Sequence, residues 1–166
     1  MTLEILDRFS ILEGLTPEET DAIAQRCEIT SVKKGEKVFE ADQYAHSLFL
    51  VRSGKIELRF NVVYLSGLVR IPLETIGAGG VCGWSAMIPR HSYTLNAFAT
   101  EDSELLQIRQ SDLQDLCEAN TRLGYIVMKN IARIICERYE LFRRMLVGEI
   151  QRDLKRKENK PLWKDE

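Results

Sequence analysis

The chain has 166 residues, 45% of them hydrophobic and 29% charged, which is the balance of a folded globular protein with room for one ordinary domain and an accessory element. Its 23 basic and 25 acidic residues leave a net charge of -2, so no overall positive field draws nucleic acid to it. No apolar run approaches the ~20 residues of a membrane span, and Met1-Thr-Leu-Glu-Ile-Leu-Asp7 lacks the basic-then-apolar order of a signal peptide, so a cytoplasmic location is expected.

In chain order, residues 1–28 read as helical. Leu3, Ile5, Leu6, Phe9, Ile11 and Leu12 precede Thr16-Pro17-Glu18-Glu19. There Thr16 caps, Pro17 takes the first helical position and Glu19 completes a capping box, which predicts a helix over 17–27.

From Ile29 to Arg109 the period shortens. Candidate strands are Val32–Gly35, Lys37–Glu40, Ser47–Val51, Lys55–Phe60, Val69–Leu73, Tyr93–Ala97 and Leu105–Ile108. Glycines 35, 54, 77, 79 and 80 punctuate them. This spacing predicts a mainly β fold, a sandwich, roll or barrel, with flanking helices.

Ser111 and Gln114 read as a second capping box. Beyond it, residues 121–154 contain no proline. A helix of about 34 residues would extend about 50 Å. Met128, Ile131, Ile135, Tyr139, Phe142, Leu146, Ile150 and Leu154 recur every three or four residues as one apolar stripe, widened by Ile126, Val127, Ile134, Leu141 and Met145. Its first half is expected to pack on the β-rich part. The residues after Tyr139 need another partner, and a second copy of the helix fits because a two-fold pair presents identical patches. The domains are therefore read as 1–118, 119–156 for the dimerisation helix and 157–166 for a flexible tail in which Trp163 has no assigned role.

Cys27, Cys82, Cys117 and Cys136 form no Cys-x-x-Cys pair and are expected to be small buried apolar residues. His46 and His91 are far apart, with no His-x-His pair, which leaves too little ligand chemistry for a metal site.

The segments Val32-Lys-Lys-Gly-Glu-Lys-Val-Phe-Glu-Ala-Asp42, Leu48-Phe-Leu-Val-Arg-Ser-Gly-Lys-Ile-Glu-Leu58 and Ile76-Gly-Ala-Gly-Gly-Val-Cys-Gly-Trp-Ser-Ala-Met87, followed by Pro89-Arg90 and Tyr93-Thr-Leu-Asn-Ala97, resemble the cyclic-nucleotide-binding β-roll. The likeness is to the sensor half of the catabolite-activator and fumarate-nitrate regulator families, and to kinase regulatory subunits and gated channels. It implies a double-stranded β-helix, a jelly-roll-like β-roll with N-terminal helices and a long C-terminal helix through which the similar families dimerise.

In nucleotide-binding members a Gly-Glu pair reaches the ribose hydroxyl, an Arg pairs with the cyclic phosphate and a Ser or Thr assists. Here Gly83 holds the glycine position and Trp84 that of the Glu. When Tyr93-Thr94-Leu95 is aligned on the following strand, His91 takes the position of the Arg, and Arg90 lies one residue early. Each charge-assisted bond to a phosphate contributes roughly 1.5–3 kcal/mol, so losing two forfeits about 3–6 kcal/mol, and ordinary cyclic AMP binding is not expected. The pocket is predicted between Gly79 and Thr94, with Gly83, Trp84, Ser85, Ala86, Arg90, His91, Tyr93 and Thr94 as its candidates for an unidentified small ligand.

These readings converge on a non-catalytic, homodimeric sensing or regulatory module with no cofactor and with a small molecule or a regulatory protein as partner. An operator-binding relative needs a helix-turn-helix after the long helix, and no DNA binding is expected of this chain. The alternatives are a structural interaction module with a closed pocket and a metal-dependent cupin-like enzyme, the latter disfavoured by the histidines. An iron-sulfur sensor needs clustered N-terminal cysteines, where only Cys27 stands.

Overall fold

Capping chemistry sets the first helix as the sequence predicts. In the computed structural model, which describes residue 6, residues 8–65 and residues 67–158, Glu19 N–H donates to Thr16 Oγ1 (3.3 Å) while Thr16 N–H donates to Glu19 Oε2 (2.9 Å). This reciprocal box opens helix α1, Pro17–Ala24. A short 3-10 turn, Ser10–Leu12, precedes it. The helix is shorter than predicted: Cys27 begins strand β1 rather than ending α1. Leu3, Ile5, Trp163 and the rest of the tail after Glu158 lie outside the described residues.

Eight strands follow in two antiparallel sheets: β1 Cys27–Val32, β2 Lys37–Phe39, β3 Ser47–Ser53, β4 Ile56–Tyr64, β5 Gly67–Ile76, β6 Val81–Cys82, β7 Asn96–Ala99 and β8 Ser103–Arg109. One sheet has the order β1-β8-β3-β6 and the other β2-β7-β4-β5. This is the jelly-roll-like β-roll of the sequence reading, with its boundaries moved. Val32–Gly35 is the end of β1 and a turn, Tyr93–Ala97 slides to Asn96–Ala99, and the two-residue β6 is too short for a periodic signal.

Both sheets feed one core, with Phe39, Phe49, Val51, Ile56, Leu58 and Leu105 among its members. Alternation puts Leu48 and Leu50 on the opposite face of β3, where they are buried too, so β3 reads as a continuous apolar run. The β4–β5 hairpin outruns its sheet. β4 pairs with β7 only from Ile56 to Arg59 but with β5 as far as Tyr64. The remaining ribbon exposes Val63 and Leu65 at 80% and 85%.

Helix α2, Gln110–Ala119, starts two residues earlier than the predicted box allows. Arg109 is its N-cap and makes no side-chain cap bond, so Ser111 is not the cap. Gln114 instead accepts from Gln110 (2.7 Å) and donates to Glu118 (2.8 Å) along the helix.

Helix α3 runs from Thr121 to Glu158. The chain divides into two compact units, Met1–Ile131 and Ala132–Glu166. In the first, Leu123, Val127 and Ile131 are fully buried, and Asn130 Nδ2 donates to the carbonyls of Ile11 and Glu13, each at 2.9 Å. Glu19 binds Arg122 and accepts from Asn120 Nδ2 (3.1 Å), which ties α1 to the start of α3. Gly124 fits where a β-carbon would lie 2.9 Å from the Cys117 carbonyl. The second unit, over its described residues, is helix alone, laced by the pairs Glu140–Arg143 (2.8 Å) and Glu149–Arg152 (2.7 Å). Tyr139, Phe142, Met145, Leu146, Val147, Ile150 and Leu154 are all exposed on it.

Candidate functional site

Gly83 sets the geometry of the predicted pocket. Its φ of 75° starts the 3-10 turn Trp84–Met87, and a β-carbon there would sit 2.9 Å from the Ser47 carbonyl, so the position requires glycine sterically before any ligand is considered. After the turn, His91 N–H donates to Ile88 O (3.0 Å), and His91 Nδ1 lies 2.7 Å from Ala86 O. The chain then runs antiparallel to residues 42–45: Asp42 N–H donates to Tyr93 O (2.8 Å), Tyr93 N–H to Gln43 O (3.0 Å) and Ala45 N–H to His91 O (2.7 Å).

At this junction lies a cleft of about 300 Å³, lined by Asp42, Trp84, Ser85, Ile88, Pro89, Arg90, Ser92, Tyr93 and Thr94. Of the predicted residues, Trp84, Ser85, Arg90, Tyr93 and Thr94 meet here. Gly83 and Ala86 form the scaffold beneath, Ala86 being fully buried. His91 is not among the lining residues; its ring is turned to the Ala86 carbonyl. Gly79 lies apart, with Ala78, Arg8, Phe9, Arg52 and Ser53 around a separate cavity of about 200 Å³, so the cleft starts at Trp84 and not at Gly79.

The lining residues differ in what they have left to offer. Tyr93 is 6% exposed, stacks on Phe39 with centroids 4.1 Å apart, and uses its hydroxyl on the Ser47 backbone. Burial pushes its phenol up from the ordinary value. Its role in the cleft is that of a fixed wall. Trp84 is half-buried, and Thr94 and Arg90 are exposed.

Asp42, which the sequence reading did not single out, also lines the cleft. Asp42, Arg90 and His91 are held at φ of 67°, 89° and 40°. Such left-handed non-glycine conformations cost about 1–3 kcal/mol each and persist where surrounding bonds over-determine them. The backbone bonds just described hold Asp42 and His91 directly. Asn96 adds to the set: its Oδ1 accepts from Ala41 N–H (3.2 Å), and its Nδ2 donates to Arg59 O (3.4 Å).

The histidines are closer than their separation in sequence suggests. The Tyr44 ring has His46 at 4.6 Å and His91 at 6.0 Å between centroids, so the fold brings both to one tyrosine. No group of three or more potential metal ligands occurs among the described residues. Of the cysteines, Cys82 is buried, Cys27 and Cys117 are half-buried, and Cys136 is exposed, against the expectation that all would be buried. No described helix is long and apolar enough to cross a membrane.

The predicted dimerisation residues also separate. Ile131 is fully buried in the first unit and belongs to its core, so it offers nothing to a second copy. Ile135 is half-buried, while Met128, Tyr139, Phe142, Leu146 and Ile150 are 38–60% exposed.

A two-sheet roll whose cleft follows a glycine-initiated 3-10 turn is the architecture of a ligand-binding regulatory domain. The cyclic nucleotide-binding domain model matches residues 29–120, and the chain belongs to that family. It is 30% identical to the cyclic AMP receptor protein of Thermus thermophilus over 77% of its own length and 56% of that protein's, so it spans little more than half of that relative. Among solved structures, it superposes on a cyclic nucleotide-binding protein from Geobacter metallireducens with a TM-score of 0.69 and 27% identity, over 84% of this chain and 98% of that one. The Thermus thermophilus catabolite activator protein gives a TM-score of 0.64 at 26% identity, over 87% of this chain and 62% of that one.

Proposed function

We infer that this chain is a non-catalytic sensing and regulatory module, dimeric through the exposed face of the second half of α3, whose cleft takes a small ligand other than an ordinary cyclic nucleotide. The observation that carries the reading is the composition of the cleft: Trp84 stands at the position of the ribose-binding Glu, and Arg90 is the one cation among the lining residues. A single guanidinium with no ribose acceptor leaves cyclic AMP short by about 3–6 kcal/mol, or two to four decades in affinity. The likeness to the Thermus receptor supports a regulatory role, and the chain's net charge of -2 argues against nucleic acid as its direct partner. A cytoplasmic setting suits such a role.

The test is titration of cyclic AMP and cyclic GMP against Trp84 fluorescence in a Trp163→Phe background. Dissociation constants of roughly millimolar or weaker are expected. Micromolar binding of either nucleotide would refute the altered-pocket reading and make Arg90 the phosphate ligand.

A further inference from the structure

The cleft carries two opposite charges that no other described residue pairs with. Asp42 and Arg90, both exposed, line the same space of about 300 Å³, and neither side chain has a hydrogen-bond or ion-pair partner among the described residues. Nearby charges behave differently. Lys37 pairs with Glu40 at 2.7 Å, and Arg59 pairs with Glu57. Both backbones are among the strained ones, at φ of 67° and 89°; Asp42 N–H is bonded to Tyr93 O, and Arg90 directly precedes His91, whose carbonyl accepts from Ala45 N–H. An unpaired carboxylate and an unpaired guanidinium on strained backbone at one cleft suit a ligand, since strain of this kind collects at ligand clamps.

The pair also restricts what the ligand is. An anion entering beside Arg90 meets the Asp42 carboxylate in the same cleft, and a cation drawn to Asp42 meets the Arg90 guanidinium; each like-charge approach opposes binding. A molecule bearing one group of each sign satisfies both. Between the charges, Trp84, Ile88, Pro89 and the ring of Tyr93 supply apolar walls, and Ser85, Ser92 and Thr94 supply hydroxyls. We propose that the cleft recognises a small zwitterion, an amino acid or an ω-amino acid, with Arg90 on its carboxylate and Asp42 on its ammonium. This rests on the cleft being the module's ligand site, and it names the chemical class of that ligand.

The experiment uses the full chain, uniformly labelled with ¹⁵N, and a panel of the twenty L-amino acids, 4-aminobutyrate and 6-aminohexanoate. For each binder, the deaminated and decarboxylated analogues are titrated alongside it, with cyclic AMP as a reference, and amide shifts of residues 42–45 and 84–94 are followed. At least one zwitterion is expected to saturate these shifts, with both singly charged analogues at least tenfold weaker. Asp42→Asn, which keeps a residue tolerant of positive φ, should abolish the preference over the deaminated acid, and Arg90→Gln the preference over the decarboxylated amine. Thermal melts confirm that both variants fold. Equal binding of zwitterion and singly charged analogue, or a preference that survives both substitutions, overturns the charge assignment while leaving a ligand cleft. Cleft shifts with cyclic AMP and with no panel member do the same. If neither the panel nor cyclic AMP moves these resonances, the ligand-sensing reading fails with it.

Discussion

The Tyr93 hydroxyl both accepts from the Ser47 backbone N–H at 3.2 Å and donates to the Ser47 carbonyl at 2.8 Å, joining the cleft wall to the first residue of β3. Both groups are buried, so replacement by Phe strands a donor and an acceptor away from water. Tyr93→Phe is expected to lower the unfolding free energy by about 1–3 kcal/mol. Urea denaturation reads this directly, and an unchanged midpoint would mean that Ser47 finds other partners.

The contact between α2 and α3 yields a second expectation. A β-carbon on Gly124 would approach the Cys117 carbonyl to 2.9 Å and its β-carbon to 3.0 Å, and backbone cannot yield as the end of a long side chain can. Gly124→Ala should destabilise the chain by about 1–3 kcal/mol despite alanine's better helix propensity. A stabilised variant would show that the two helices separate freely.

Stability should fall on the alkaline side. Burial pushes the Cys27 thiol up from 9.0 to about 11, and burial also raises Cys117 and Tyr93. A group whose folded pKa exceeds its unfolded one contributes stability that is complete below the unfolded value and is lost as pH rises through the folded one. For Cys27 that window runs from about 9 to about 11, and the contribution is about 2–3 kcal/mol. Chemical denaturation at pH 7.5 and 10.5 should show the loss, and Cys27→Val, which cannot ionise, should reduce it.

Glu19 works in the opposite direction. Its hydrogen bond from Arg122, then that from the Thr16 backbone, holds its carboxyl below the ordinary value. Its stabilisation is therefore present above the unfolded pKa and is lost as pH falls through the folded one. Glu19→Gln should be less stable than the parent at neutral pH, and the difference should shrink in acid. A constant difference would assign the loss to packing alone.

The proposed dimer can be tested on α3. Phe142, Leu146 and Ile150 are 42–49% exposed, and an apolar strip of this kind favours a second copy. Light scattering at tens of micromolar should give a dimer for the full chain and a monomer for Leu146→Asp or for a chain truncated after Arg138. A truncated dimer would move the interface elsewhere.

Where local chemistry determines structure, the sequence was readable. The Thr16–Glu19 box, the glycine-punctuated strands and the proline-free helix each carry a signal within a few residues. Ser111 misled because a capping-box pattern does not say which residue first turns helical; the strand ending at Arg109 decides that. The cleft was readable from Trp84 onward, since Gly83 through Thr94 is nearly continuous in sequence. Asp42 was not, because its place depends on pairing with Tyr93 across about fifty residues of chain and on a positive φ that no residue type announces. For the same reason Ile131 looked like part of the dimer stripe: periodicity marks an apolar face without saying what covers it.

The β4–β5 ribbon leaves β5 at the margin of its sheet with a partner on one side only. A long, apolar margin of this kind is a template onto which another chain can add a strand, the first step toward aggregation. Pro72 lacks an N–H to donate, Arg70 places a charge on the same strand, and the register shift between Leu58 and Arg59 breaks the regular ladder. Together they guard the margin, so replacing Pro72 with a β-branched residue would threaten the solubility of the protein before it threatened its fold.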